Sequence, residues 1–246
     1  MAIVASELIQ RGSASRPEDD ASTSGGAIDN NCILDVTQLA ANAKLEVVSS
    51  NAADTMNLTI AGRDASGAIV TETRALTGTT VLQFATNTLE RFLKASLAAT
   101  PAGNVTIRVT GAGATVVVIP AGATSAAILF INASSEAAQT VRYEKVFWKN
   151  TNATLTLTAA QITLTADPSA IIRIAVAAAK NDAVSVANRK TAPGGVTFVD
   201  DGVAVNVPGN QLEAAASIGG WIEMTRAAAA GGLKTTYTTQ LAGTTV

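Results

Sequence analysis

The chain has 246 residues, of which 48% are hydrophobic and 15% charged, with a net charge of −2 and no histidine. That length buries a full core in one or two domains, and the hydrophobic content excludes disorder throughout. The missing histidine excludes Ser-His-Asp and Cys-His nucleophile systems and removes the commonest metal ligand.

The apolar residues are mostly alanine and valine, and aromatics are 4%. Cores of this kind are thin and gain from contacts with partners. Charged residues fall well below the ~25% of ordinary soluble domains, and a surface poor in charge favours association. The expectation is a subunit of an assembly. Basic residues are scattered singly, as at Arg63, Arg74, Arg108, Arg173 and Arg226, so no cluster is expected to neutralise nucleic-acid phosphates. The single cysteine, Cys32, excludes an internal disulfide and a multi-cysteine zinc site. Beside Ile33 and Leu34 it reads as a small buried hydrophobe, with an intermolecular disulfide as the alternative.

Residues 1–10 lack a basic n-region, and their apolar run is too short for a signal peptide. No stretch approaches the ~20 apolar residues of a membrane-spanning helix. The expected protein is made in the cytoplasm and meets no membrane. Residues 11–31, RGSASRPEDDASTSGGAIDNN, carry loop chemistry and predict an extended N-terminal arm over residues 1–31.

Beyond the arm, residues 33–36 and 45–48 are apolar runs of strand length, and residues 57–62 (NLTIAG) alternate. Asp64-Ala-Ser-Gly67 predicts a hairpin turn into a strand over residues 68–73. Leu76-Thr-Gly78-Thr-Thr80 is a further turn, and residues 81–84 start the next strand. Residues 88–97 (TLERFLKASL) place Leu89, Phe92, Leu93 and Leu97 on one helical face and predict either a short helix or a strand edge. Residues 104–110 (NVTIRVT) have the cleanest period-two pattern in the chain. Gly111-Ala-Gly113-Ala predicts a hinge between two domains, 32–112 and 113–246.

In the second domain, residues 115–119, 126–131, 143–148 (YEKVFW), 154–158 (TLTLT), 161–165 (QITLT) and 170–176 read as strands. Residues 196–199, 203–207, 220–224 and the β-prone 235–239 (TTYTT) complete the series. Short strands at a spacing of ~8–12 residues, cut by Gly, Pro, Asn and Asp turns, predict an all-β protein. The fold expected is two β-sandwich or jelly-roll-like domains with an extended N-terminal arm.

Two acidic pairs, Asp19-Asp20 and Asp200-Asp201, are the only carboxylate constellations of note. Glycoside hydrolysis needs two carboxylates ~5–10 Å apart across the sugar. Asp201-Gly202 reads more simply as a turn pair, and Asp19-Asp20 as solvated charge in the arm. Gly111-Ala-Gly113-Ala-Thr lacks the Gly-Lys-Ser/Thr and the following helix of a phosphate loop. Trp148 and Trp221 sit in strand-like runs and are expected in the core, whereas Tyr143 and Tyr237 are the candidates for surface contact. No catalytic, cofactor-binding or metal-binding residue is predicted, and no enzyme activity.

Residues 143–176, YEKVFWKNTNATLTLTAAQITLTADPSAIIRIAV, resemble a recurrent module of tailed-bacteriophage virion proteins: an aromatic strand ending in Lys-Asn, a Thr/Leu strand and a Pro-Ser turn. Ala187-Asn188, Thr191-Ala-Pro193-Gly-Gly195-Val-Thr-Phe198, Gly220-Trp221-Ile222-Glu223 and Ser24-Gly25-Gly26-Ala27-Ile28 fit the same pattern. NLTIAGRDASGAIVTETRALTGTT, residues 57–80, resembles a second β-module of phage head and tail proteins. The resemblance implies a virion component in many copies. The leading expectation is a capsid decoration or cement protein bound to the major capsid protein or other virion proteins, as a homo-oligomer with a trimer favoured. The contact residues expected are Arg11, Arg16, Asp19, Asp20 and Ile28 of the arm, and Tyr237 near the C-terminus. The alternatives are a tail, baseplate or fibre-base protein, a carbohydrate-binding module, and a carboxylate hydrolase.

Overall fold

The computed structural model describes residues 2–133, 136–230 and 235–245. Among them the fold is all-β, the only helical turns being short 3₁₀ segments at Ala5–Glu7 and Pro208–Asn210. The chain forms two compact units: unit 1 comprises residues 1–29 and 129–246, and unit 2 residues 30–128.

Unit 2 is a β-sandwich. One sheet contains β4 (Asn57–Arg63), β5 (Ile69–Ala75), β7 (Arg91–Leu97) and β10 (Ser125–Ala127), in the order β10-β7-β4-β5. The other is β6 (Leu82–Leu89), β3 (Ala43–Ser49), β8 (Val105–Val109) and β9 (Thr115–Ile119), in that order. Alternation along each strand supplies the core between them, with Leu45, Val47, Leu58, Ile60, Phe84, Phe92, Val105, Ile107 and Ile119 all buried. The predicted hairpin at Asp64-Ala-Ser-Gly67 forms. Asp64 Oδ1 accepts from the backbone N–H groups of Ser66 and Ala68, and Gly67 takes a φ of +83° that a side chain would oppose. Cys32 is buried.

Unit 1 is built on a sheet in the order β13-β17-β11-β1, from β1 (Leu8–Ser15), β11 (Thr140–Asn150), β13 (Ile172–Lys180) and β17 (Ser217–Arg226). Strand β2 (Ser24–Ile33) follows β1 and also pairs with the two-residue β14 (Ser185–Val186). A smaller sheet centres on β12 (Leu157–Ala166), which pairs with β15 (Ala204–Asn206), β16 (Gln211–Leu212) and β18 (Thr238–Thr245). Thr239 of β18 accepts from Trp148 Nε1 at 3.2 Å, tying the smaller sheet to one face of β11. The close approach of β11, β13 and β17 requires glycine at 220, where a Cβ would lie 2.4 Å from Trp148 Cζ3 and 2.6 Å from the Ala175 carbonyl oxygen.

Two expectations are corrected, and one pair of alternatives is decided. Residues 1–31 are not an extended arm: most of them are strands β1 and β2, because the Gly- and Ser-rich stretch pairs in register, Arg11 opposite Phe147 and Gly12 opposite Val146. The domain boundary is not at Gly111-Ala-Gly113-Ala. That segment is the β8–β9 turn, pinned by Glu46, whose carboxylate accepts the Gly111 and Ala112 N–H groups at 2.9 Å each and Arg108 Nε at 2.7 Å. For residues 88–97 the strand alternative holds over the helix: Thr88 and Leu89 end β6 and Arg91–Leu97 is β7. The β4–β7 register shifts between Ala61 and Gly62, leaving Leu93 as an extra residue on β7 and burying Phe92 and Leu93 side by side. The bulge, together with Leu89 at the end of β6, reproduces the apolar spacing of a helical face.

Candidate functional site

Strand β11 is buried on both faces over Arg142 to Trp148. Strands placed like this are ordinarily continuous runs of branched apolar residues. This one carries Arg142, Glu144 and Lys145, each buried, and buried charge persists only when paired and hydrogen-bonded. The even-numbered side chains share one face and the odd-numbered ones the other.

On the first face Arg142 and Arg189, both 0% exposed, converge on Asp20. Arg142 donates from Nε at 2.8 Å and Nη2 at 2.6 Å, a bidentate pair. Arg189 donates from Nε to Asp20 Oδ1 at 2.5 Å and from Nη1 to the Ile131 carbonyl at 2.7 Å and Glu144 Oε1 at 3.3 Å. Glu136 accepts from Arg142 at 3.1 Å and from Lys190. The node therefore ties β11 to three loops, around residues 16–23, 129–139 and 187–190. Burial alone would raise the Asp20 carboxyl, but hydrogen bonds and charge from Arg142 and Arg189 outweigh it and hold Asp20 well below the carboxylate range. Glu144 has the opposite fate: its burial outweighs the Phe130 N–H, Arg189 and Arg16, and pushes it up to about 7.

On the second face Lys145 Nζ donates to Asp182 Oδ2 at 2.6 Å and to the carbonyls of Val184 (2.9 Å), Gly26 and Asp182 (3.1 Å each). The ammonium also lies 5.1 Å from the Phe147 ring centroid and 5.6 Å from that of Trp221. Burial lowers the Lys145 pKa, and the Asp182 carboxylate opposes that shift.

The expected contact residues fall into different places. Asp19 is exposed and caps its own turn by accepting from the Ala21 and Ser22 N–H groups, whereas its neighbour Asp20 turns inward to the arginines. Arg16 pairs with Asp29 at 2.8 Å and donates to the Ser13 carbonyl. Arg11 lies half-buried on β1 and Ile28 half-buried on β2. Tyr237 is half-buried, and burial of its hydroxyl, together with the Glu144 charge, raises its pKa. Asp20, Arg16 and Tyr237 are thus engaged within unit 1 while staying partly exposed: Asp20 meets the arginines of β11 and the 187–190 loop, and Arg16 meets Asp29 of β2.

Trp148 and Trp221 are 3% and 1% exposed, so neither presents a stacking platform for a sugar. Asp200 and Asp201 are exposed in a turn where Gly202 takes φ +76°. Among the described residues no group of three or more Cys, Asp or Glu is placed to hold a metal ion. Asp20 is clamped by two guanidinium groups that hold it well below the carboxylate range, which makes it a weak base. The chemistry of the node is mechanical, a lock between strand and loops. The residues missing from the sequence reading are Arg142, Glu144, Lys145 and Arg189. For Glu144 and Lys145 the signal was charge inside the otherwise apolar run YEKVFW, whereas Arg142 and Arg189 lie outside that run.

No family model matches the chain, and no curated protein or solved structure shows significant similarity to it.

Proposed function

We propose that the chain is a structural component of a tailed-phage particle, a decoration or cement subunit that strengthens the capsid through many shared contacts. The observation that carries this reading is where the charge goes. In a chain with few charged residues, Asp20, Arg142, Glu144, Lys145, Asp182 and Arg189 are all spent on internal locks. With charged residues at only 15% of the chain, the outer surface suits coverage by neighbours at a reduced cost of desolvating ions.

The resemblance of residues 143–176 and 57–80 to phage virion modules supplies the kind of particle. Each contact of a stable interface buries ~1,200–2,000 Å², and several per subunit multiply through effective concentration. Internal locks serve such a role because a subunit that bridges others transmits load only if its own loops do not yield.

The test is to locate the protein in purified particles by cryo-electron microscopy with mass spectrometry of the same preparation. Many copies on the capsid exterior are expected. Density along the tail moves the assignment to a tail component, and absence from the particle refutes the proposal.

A further inference from the structure

Every long sheet edge described in this chain carries a guard except one. Exposed edges offer unpaired N–H and C=O groups, and proteins blunt them with charge, proline, short length or a covering segment. In unit 2 the edges of β5 and β6 are clasped by side chains. Glu72 Oε2 accepts from the Thr86 and Asn87 N–H groups at 3.1 and 3.3 Å, and Arg74 Nη1 donates to the Gln83 carbonyl at 2.9 Å. Strand β9 has its Val116 carbonyl taken by the Thr37 N–H at 2.8 Å, and Pro120 follows its last residue. In unit 1, β13 carries Arg173 and Lys180 and is bridged at Ile174 by Val199 in both directions, at 3.0 and 2.8 Å. Strands β15 and β16 have three and two residues.

Strand β18 is different. It has eight residues, TTQLAGTT, with no charge and no proline, and among the described strands it pairs with β12 alone. Both register shifts in that pairing place the extra residue on β12, so no bulge twists β18 away. Its outward side chains, Thr238, Gln240, Ala242 and Thr244, are exposed. The neighbouring outward positions continue the pattern: Thr158, Gln161, Thr163 and Thr165 of β12, Ala204 and Asn206 of β15, and Gln211 of β16. None of these strand positions is ionisable, and the nearest charges, Glu213 and Lys180 beside Gln211, lie on the β16 side of β12, away from β18, whereas exposed surfaces ordinarily intersperse Lys, Arg, Glu and Asp at ~25–35%.

We infer that β18 is a self-pairing edge, through which two copies of this chain join antiparallel across a two-fold axis. The occupant follows from the chemistry of the edge. Across a two-fold axis each residue near the centre meets its own copy, so any charge there meets a like charge. Threonine and glutamine both donate and accept, so a face made of them complements itself. The pairing joins the two smaller sheets edge to edge through main-chain hydrogen bonds. It deepens the assembly reading proposed above and replaces the trimer expected from the resemblance with an even-numbered assembly.

The test is sedimentation velocity of the full chain over a concentration series, on the wild type and on Ala242→Lys, Gln240→Lys, Ala242→Ser and Thr71→Lys. Circular dichroism checks the fold of each. The inference expects a dimer, or a multiple of it, whose dissociation constant rises at least about tenfold in either β18 lysine variant. Ala242→Ser and the charge on the clasped β5 edge, Thr71→Lys, leave association unchanged. A monomer throughout, an odd-numbered assembly, or association indifferent to both β18 lysines overturns it. Using two β18 positions keeps the test decisive if one variant misfolds. A chain that is monomeric in solution yet present in particles sinks only this inference. A dimer absent from particles sinks only the virion assignment.

Discussion

Replacing Asp20 with alanine removes the shared acceptor of two wholly buried guanidinium groups. Arg142 loses both bonds of its bidentate pair, and Arg189 loses its shortest bond. Breaking a buried ion pair from one side costs about 3–5 kcal/mol, because the partner charge stays behind in a poorly solvating site. Two features discount that range: Asp20 is 23% exposed, so water enters on its removal, and Arg142 and Arg189 keep Glu136 and Glu144. The expected loss is therefore near the lower end, about 3 kcal/mol. For a domain of this size that lowers Tm by roughly 6–12 °C. Both tryptophans, Trp148 and Trp221, belong to unit 1, so urea unfolding followed by their fluorescence reads the right unit. Asp19→Ala is the matched control. It loses only an exposed turn cap and should cost far less than Asp20→Ala. Because folded Asp20 ionises well below its unfolded value, its contribution is complete above about pH 4 and is lost as the pH falls through the folded value. The gap between wild type and Asp20→Ala should accordingly narrow toward pH 2. Equal stability of the Asp19 and Asp20 variants would refute the lock.

Glu144 predicts the reverse pH dependence. Folded Glu144 keeps its proton up to about 7 while the unfolded chain releases it near 4.5, so stability should fall between those values, by up to about 3 kcal/mol. Urea titrations at pH 5 and 8 should show the fall, and Glu144→Gln should flatten it; a wild type equally stable at both would contradict the placement. Gly220→Ala drives a methyl group into Trp148 and the Ala175 carbonyl, and should cost about 1–3 kcal/mol with an altered near-ultraviolet tryptophan signal. Glu46→Ala frees two turn N–H groups and Arg108, and should destabilise unit 2 by about 2–3 kcal/mol. Cys32, the sole thiol, is buried in unit 2, so the rate of its reaction with a thiol reagent measures that loss, and an unchanged rate would speak against it.

The hairpin at residues 64–67 and the burial of Trp148, Trp221 and Cys32 were legible because they depend on local chemistry. Asp-x-x-Gly turns on itself, and β-branched and aromatic runs must leave water. Within residues 88–97 the end of β6 and the start of β7 were obscured by a bulge in β7 that exists only because β4 runs beside it. Gly111-Ala-Gly113 looked like a hinge because nothing nearby in sequence shows that Glu46, some 65 positions earlier, holds it as a turn. For the same reason Asp19 and Asp20, identical neighbours in a polar stretch, were indistinguishable. Their difference is made by Arg142 and Arg189, which lie 122 and 169 positions away.

Composition and period-two patterning by themselves determined that this chain is all-β with a weakly charged surface, because alternation and turn residues act within a few positions of one another. Only the tertiary structure decided that residues 1–29 and 129–246 form one unit and residues 30–128 another, that the supposed arm is strands, and that Asp20, Arg142, Lys145, Asp182 and Arg189 are locks. Those outcomes rest on strand pairing and ion pairing between distant segments. Such contacts carry no local signature, since a strand edge or a carboxylate specifies the kind of partner it needs and not where along the chain that partner lies.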